Sequence, residues 1–183
     1  MSLTEAASDF LAQRRIAVAG VSRSRGQAAN TIYKKLRTAG YDVVPINPHA
    51  DEVEGDHCYP NLTAVAGGVD AVVIATHPEV TPRVARECVA LGIGRVWIHR
   101  GLGTGSVSEE AIHVCEDAGI PVIPGGCPLM FLGSRNLSHA CLGWILGHTG
   151  RLPDVESAAP LPAPPRPSER PDTSSPPPLR SPA

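Results

Sequence analysis

One segment determines the architecture that we expect for this chain: Arg15-Ile16-Ala17-Val18-Ala19-Gly20-Val21-Ser22-Arg23-Ser24-Arg25-Gly26. It begins as an apolar β-type run, which stops at Gly20, and it continues as a loop of small and cationic residues. A helical pattern follows from about Gln27. Free backbone N–H groups and the positive end of a helix dipole meet at such a loop, so the loop favours an anion. The segment therefore predicts a ligand that contains a nucleotide.

Strand and helix patterns alternate along the rest of the chain. The predicted strands are Ile16–Gly20, Tyr41–Asn47, Val69–Thr76, Arg95–His99 and Ile120–Pro124. The predicted helices are Thr4–Gln13, Gln27–Ala39, Glu79–Leu91 and Val107–Ala118, with helical pieces over Pro128–Leu146. Ser2 or Thr4 is the expected cap of the first helix, and Ser106 with Glu109 has the spacing of a capping box.

Three of the strands are continuous apolar runs, which is typical of strands that are covered on both faces in a parallel sheet. Right-handed crossovers then give an α/β fold with a Rossmann-like, doubly wound, parallel five-stranded sheet and helices on both faces. We expect the strand order 3-2-1-4-5. The folded domain is predicted to cover residues 3–150. Residues 151–183 hold 11 of the 19 prolines and no aromatic residue, so we expect them to form a disordered Pro-rich tail.

The bulk composition excludes several classes of protein. A net charge of −2 disfavours non-specific binding to nucleic acid, and no apolar run is long enough to span a membrane. The N-terminus lacks the pattern of a signal peptide. The five cysteines are scattered without a C-x-x-C pair, and the histidines show no metal-ligand spacing. We therefore expect a cytoplasmic protein with reduced thiols and no metal site.

In such folds the ligand lies at the carboxyl ends of the strands, which here means the loops at 20–26, 47–50, 76–78 and 99–105. The dinucleotide fingerprint needs G-x-G-x-x-G after the first strand and an acidic residue after the second. At the three glycine positions of the first motif this chain has Gly20, Ser22 and Arg25, so only the first glycine is present. Asn47 stands where the acidic residue is required. An ADP-type ligand with additional phosphate charge fits this loop better than NAD does.

The chain resembles the small stand-alone coenzyme A-binding proteins, which are similar to the N-terminal domain of the succinyl-CoA synthetase α subunit. The resemblance covers about residues 10–131. The segments that carry it are Gly20-Val21-Ser22-Arg23, Gly40-Tyr41-Asp42-Val43-Val44-Pro45-Ile46-Asn47-Pro48, Gly55, Cys58-Tyr59-Pro60-Asn61-Leu62, Val69-Asp70, Val96-Trp97, Gly101, Gly119-Ile120-Pro121-Val122 and Gly126-Cys127-Pro128.

The resemblance implies that coenzyme A, or an acyl-CoA, is the small-molecule ligand and that the loops listed next bind it. The implied contacts are Gly20, Val21, Ser22, Arg23, Ser24, Arg25, Asn47, Pro48, His49, Thr76, His77, Pro78 and Gly101. The synthetase performs its chemistry with a histidine in a second domain, and residues 151–183 leave no room for one. We therefore expect a binding module with a regulatory or carrier role, without catalytic residues and with unknown protein partners.

Two other functions remain open from the sequence. One is an NAD(P)-binding oxidoreductase or nucleotide sensor, since arginines can serve a 2′-phosphate. The other is an interaction protein that kept the fold without the ligand. Simpler interpretations also stand for single residues: solvated arginines in a tight turn, a strand stop at Asn47-Pro48, a solvated His77 and a buried, unreactive Cys127. The glycine cluster Gly101-Leu102-Gly103-Thr104-Gly105-Ser106 either cradles a phosphate, with Arg100 beside it, or forms a loop before a helix cap.

Overall fold

A computed structural model describes residues 2–24, 26–101 and 105–132. In these residues the elements follow in the order α1 (Leu3–Leu11), β1 (Arg15–Ala19), α2 (Ala28–Thr38), β2 (Asp42–Ile46), β3 (Glu52–Val53), β4 (Asp56–His57), β5 (Ala71–Ile74), α3 (Thr81–Ala90), β6 (Val96–Ile98), α4 (Glu109–Asp117), β7 (Val122–Pro124) and a 3₁₀ turn at Pro128–Phe131. The predicted tail and most of the helical pieces predicted after Pro128 lie outside the described residues.

The main sheet confirms the predicted fold class. Its five strands are all parallel, and hydrophobic cores cover both faces. On one face α1, α2 and the 3₁₀ turn pack against side chains such as Val18, Val73 and Trp97. On the other face α3 and α4 pack against Ala19, Ile74 and Ile98. The alternation follows from the period of two along a strand, and every residue of β5 is buried.

The predicted strand order was wrong. The observed order is β2-β1-β5-β6-β7, which corresponds to 2-1-3-4-5 for the five predicted strands. Pro45 in β2 has no N–H to donate to a second neighbour, so β2 is suited to the edge of the sheet. The fully buried β5 instead pairs with both β1 and β6. The direction of strand order therefore reverses between β1 and β5. The topological switch point, where ligands bind in such folds, lies at the carboxyl ends of these two strands.

The cap of α4 also differs from the prediction. Ser108, not Ser106, is the N-cap, and its Oγ accepts from the Ala111 N–H at 3.4 Å. Ser106 is buried, and its N–H donates to the His99 carbonyl at 2.9 Å, which holds it against the end of β6. The first helix begins at the expected Ser2, which forms a capping box with Glu5.

A small hairpin that the sequence did not predict follows β2. Strands β3 and β4 pair through Glu52–His57 and Val53–Asp56, and Glu54-Gly55 form the turn between them. Both turn residues have positive φ, 51° for Glu54 and 83° for Gly55. Two-residue turns of this kind favour Asn or Asp at the first position, so a glutamate there gives no sequence signal.

Candidate functional site

The loop after β1 touches the loop after β5 at the switch point. Gly20 has φ of 101°, and a Cβ placed on it would lie 2.4 Å from the carbonyl oxygen of Ala75. Any larger residue would collide with this backbone, so the close approach requires glycine. The first glycine of the predicted ligand loop therefore shapes the crevice between β1 and β5.

Asn47 joins the loop after β2 to the loop after β1. Its Nδ2 donates to the Val21 carbonyl at 2.7 Å, and its Oδ1 accepts from the His49 N–H at 2.8 Å. The Asn47 N–H donates to the backbone carbonyl of Tyr59 at 2.9 Å. Both ends of the amide are thus engaged within the protein, while the side chains of Pro48 and His49 are exposed. Asn47 braces the edge, and its two neighbours face solvent.

A buried threonine that the sequence analysis missed joins the remaining two loops. Thr81, at the start of α3, is fully buried, and its Oγ1 lies 2.8 Å from the Ser106 carbonyl oxygen and 3.2 Å from Thr76 Oγ1. The first of these contacts reaches the loop after β6, and the second reaches the loop after β5. No sequence signal distinguishes Thr81 from an ordinary residue in a first helical turn, because its partner lies 25 residues away. The four predicted loops are therefore brought together at one edge.

Within the loop after β1, the amide groups of the two serines are already hydrogen-bonded. The Ser22 N–H donates to Asn30 Oδ1 at 3.0 Å, and the Ser24 N–H donates to Ser22 Oγ at 3.1 Å. Asn30 also donates from Nδ2 to the Ser22 carbonyl at 2.7 Å. Asn30 is 1% exposed and was not among the predicted site residues. Asparagine in a first helical turn often bonds nearby backbone, which is the signal that could have found it.

The N-terminus of α2 presents donors that nothing in the described part of the chain satisfies. Its N-cap, Gln27, makes no side-chain cap, its first turn holds no acidic residue, and the first bonded N–H is that of Thr31. In contrast, Ser2 and Ser108 cap α1 and α4, which also carry glutamates in their first turns. At the start of α3, Thr81 and Arg83 donate to backbone carbonyls, and Pro82 has no N–H.

The N–H groups of Ala28, Ala29 and Asn30 are therefore open, in the sense that no described residue accepts from them, and they add to the positive end of the α2 dipole. The exposed Arg23 lies in the loop that precedes them, and Arg25 lies outside the described residues. A helix terminus without a side-chain cap, next to a cationic loop, has the donors and the charge that a phosphate group requires.

At the end of β6, a histidine ring packs against Gly101, the first residue of the predicted glycine cluster. His99 is 6% exposed, and burial lowers the pKa of its imidazole. A Cβ on Gly101 would lie 3.3 Å from His99 Cε1, so the glycine packs against the ring. Gly105 has φ of 60°, and a Cβ on it would lie 2.8 Å from the Arg100 Cα. Residues 102–104, in the middle of the cluster, lie outside the described residues.

The four cysteines in the described part of the chain, Cys58, Cys88, Cys115 and Cys127, are all buried, as the sequence predicted for Cys127. Burial is also the main reason that the pKa values of the Cys58 and Cys115 thiols are raised, that of Cys115 to about 11. In the same residues, no group of three or more His, Cys, Asp or Glu side chains is arranged to hold a metal ion. None of the described helices is long and apolar enough to cross a membrane.

Comparison with known proteins identifies the class to which this fold and site belong. Residues 14–132 match the family described as CoA binding domain, so the chain belongs to that family. The expected resemblance is thus confirmed.

Individual relatives are similar to the same region. The uncharacterized protein YneT of Bacillus subtilis (strain 168) is 32% identical over 114 residues, which are 62% of this chain and 82% of YneT. The ADP-forming acetate–CoA ligase II of Archaeoglobus fulgidus is 32% identical over 96 residues, 51% of this chain but 14% of the ligase. The chain thus spans a small part of that ligase. The solved structure of a hypothetical protein from Pyrococcus horikoshii OT3 superposes with a TM-score of 0.66 at 26% identity, over 71% of this chain and 89% of the other.

Proposed function

We propose that this protein binds coenzyme A or an acyl-CoA at the carboxyl edge of its sheet and acts as a non-catalytic regulatory or carrier module in the cytoplasm. The observation that carries the proposal is the set of open N–H groups of Ala28, Ala29 and Asn30 at the start of α2. Membership of the CoA binding domain family supports the choice of ligand. In this proposal residues 3–150 form the binding domain.

The phosphates of coenzyme A would lie against α2. Because the Ser22 and Ser24 N–H groups are already bonded, the donors for the diphosphate are the three open N–H groups of the helix, with the Ser22 and Ser24 hydroxyls beside them. Arg23 and Arg25 would supply charge-assisted bonds, each of about 1.5–3 kcal/mol. Two such bonds form a substantial part of the roughly 8 kcal/mol that micromolar affinity requires.

The other loops would form the walls of the site. Gly20 and Val21 would line the crevice floor, and the exposed Pro48 and His49 would lie beside it after β2. On the opposite side Thr76, His77 and Pro78 follow β5, and Gly101 follows β6. Asn47 would act as the brace that holds the first two loops together, because its amide is engaged with Val21 and His49.

The hydrogen bonds of the Asn47 side chain weaken the alternative of an NAD(P)-binding oxidoreductase or sensor. The position that would hold the ribose-binding acid is Asn47, and its side chain already bonds the protein. The second alternative, an interaction protein without a ligand, would leave three helix donors without a partner among the described residues.

A calorimetric and thermal-shift comparison of coenzyme A, dephospho-coenzyme A, NADP, NAD and ATP tests the proposal with the full chain. A ligand raises stability by RT ln(1 + [L]/Kd), so coenzyme A should raise the unfolding temperature most. Dephospho-coenzyme A should bind more weakly if the 3′-phosphate meets the arginines. A larger shift with NADP would favour the dinucleotide alternative. The absence of any shift would favour the interaction protein.

A further inference from the structure

We propose that Glu54, at the tip of the β3–β4 hairpin, is a positioning residue that holds the ligand loop in its binding shape through Asn30. This inference rests on the proposed function, because it concerns the loop that would meet the phosphates. Glu54 is far from the loop in sequence, but its side chain reaches the first turn of α2. The hairpin would therefore act as a support for the phosphate site.

The backbone of Glu54 is the first sign that its side chain is required. Its φ is 51°, and it is the only non-glycine residue with positive φ in the described part of the chain. Asparagine, aspartate and glycine adopt this conformation at less cost than glutamate. Strain of this kind persists where the surrounding contacts hold the residue, and it is concentrated at functional sites.

The contacts of the carboxylate explain what holds it. Glu54 Oε1 accepts from Asn30 Nδ2 at 2.8 Å and lies 3.4 Å from Lys34 Nζ. The Glu54 side chain is only 12% exposed. A buried carboxylate needs such partners, because desolvation disfavours its charge. The Glu54 carboxylate thus contacts an amide and an ammonium group of α2, and Arg37 and Tyr33 of the same helix also bond the hairpin.

Asn30 transmits this constraint to the loop. Its NH₂ group has two donors, and both have acceptors: the Ser22 carbonyl at 2.7 Å and Glu54 Oε1 at 2.8 Å. Its oxygen accepts from the Ser22 N–H at 3.0 Å. If the amide turned over, its NH₂ group would face the Ser22 N–H and its oxygen would face the carboxylate. Glu54 therefore adds a third hydrogen bond that favours the amide orientation in which Asn30 bonds both backbone groups of Ser22.

A loop that is already in its bound shape binds more tightly, because less conformational freedom is lost on binding. A negative charge near a phosphate site opposes binding unless it is compensated, and Lys34 provides that compensation here. The benefit of Glu54 is thus predicted to come from its oxygen as an acceptor and not from its charge. Two substitutions separate these properties.

Glu54→Asn fits the turn better but is too short to reach Asn30, whereas Glu54→Gln keeps an acceptor oxygen and removes the charge. Glu54→Gly repeats the test of the turn without a side chain. Glu52→Asn is the matched control, because Glu52 is exposed on the same hairpin. For each variant of the full chain, amide hydrogen exchange is measured by NMR, and the Kd for coenzyme A is measured by calorimetry.

In Glu54→Asn and Glu54→Gly we expect the Ser22 N–H to exchange at least about fivefold faster, while the Val72 N–H in the core is unchanged. The Kd for coenzyme A should rise by about fivefold or more in both. Glu54→Gln should stay near the wild type in exchange and bind as tightly or more tightly, and Glu52→Asn should change neither. Equal exchange at Ser22 in wild type and Glu54→Asn would overturn the positioning role. If exchange responds as expected but the wild type does not bind coenzyme A, the positioning role stands and the proposed ligand fails.

Discussion

Asn47 Nδ2 lies 2.7 Å from the carbonyl oxygen of Val21, which connects the ends of β1 and β2 across the edge of the sheet. A parallel sheet aligns strand ends but does not by itself fix the loops that follow them. In this protein buried or half-buried polar side chains do so: Asn47 and Asn30 fix the loop after β1, and Thr81 fixes the loops after β5 and β6. The proposed ligand edge is therefore preorganised by hydrogen bonds that are internal to the protein.

Asn47→Ala is expected to lower the free energy of unfolding by about 1–3 kcal/mol, because the carbonyl of the buried Val21 loses its donor. Asn47→Asp should cost more, since it places a second acceptor against that carbonyl. Chemical denaturation measures both. Asn61→Ala is the control, because Asn61 is exposed and its Oδ1 bonds only the nearby Ala64 N–H. If Asn47→Asp were as stable as the wild type and bound NAD, Asn47 would be a ribose contact and not a brace.

Gly20→Ala is expected to lower the free energy of unfolding by about 2–4 kcal/mol, because its Cβ would meet Ala75 and its φ is strained for alanine. Gly26→Ala provides a matched control, since Gly26 has φ of 87° but no atom within 4 Å of the added Cβ. The difference between the two variants, measured by denaturation, isolates the collision. Similar losses for both would mean that φ alone sets the cost.

Replacing Arg23 and Arg25 together by alanine is expected to weaken coenzyme A binding about tenfold or more at low salt. The loss should shrink as salt is added, because exposed charges are screened. Arg83→Ala, on the exposed side of α3, should leave the affinity unchanged. Calorimetry at two salt concentrations checks this, and an unaltered Kd in the double variant would remove the phosphate contact.

The free energy of unfolding should decrease as the pH is lowered, and protonation of His99 should account for part of this decrease. Burial lowers the pKa of His99 below its ordinary value of 6.5, so the folded state binds a proton less readily than the unfolded chain does. This stabilising contribution is complete above about pH 6.5 and is lost as the pH falls below it. Thermal unfolding of His99→Gln between about pH 7 and 5 should show a shallower decline than that of the wild type. His49→Gln, at an exposed site, should decline like the wild type; equal slopes for His99→Gln would exclude this histidine as the cause.

The sequence predicts the elements well because their signals are local. Strand β5 is a continuous apolar run, and the glycine pattern after β1 indicates the turn at Gly20. The strand order was missed although Pro45 carried a signal, since a proline favours an edge strand. Asn30 was missed although an asparagine in a first helical turn often bonds nearby backbone. Glu54 and Thr81 were missed for another reason: each bonds partners that become neighbours only when the chain has folded. The roles of the exposed loop residues stay predictions.

Pro45 also limits edge-to-edge association of this protein with other copies of itself. The backbone N–H and C=O groups of the odd-numbered residues in β2 point away from β1. Tyr59 already donates to the Pro45 carbonyl and accepts from the Asn47 N–H, just after the strand. Among the described residues, that leaves Val43 as the one amide of the strand turned outward without a partner. An extended chain that pairs with this edge would find one free N–H donor, that of Val43. Pro45, two residues further on, has no N–H, and the charged Asp42 precedes Val43. The β2 edge of the sheet is thereby a poor template for fibril growth, and aggregates should nucleate there less readily than on an edge strand whose outward N–H groups are all free.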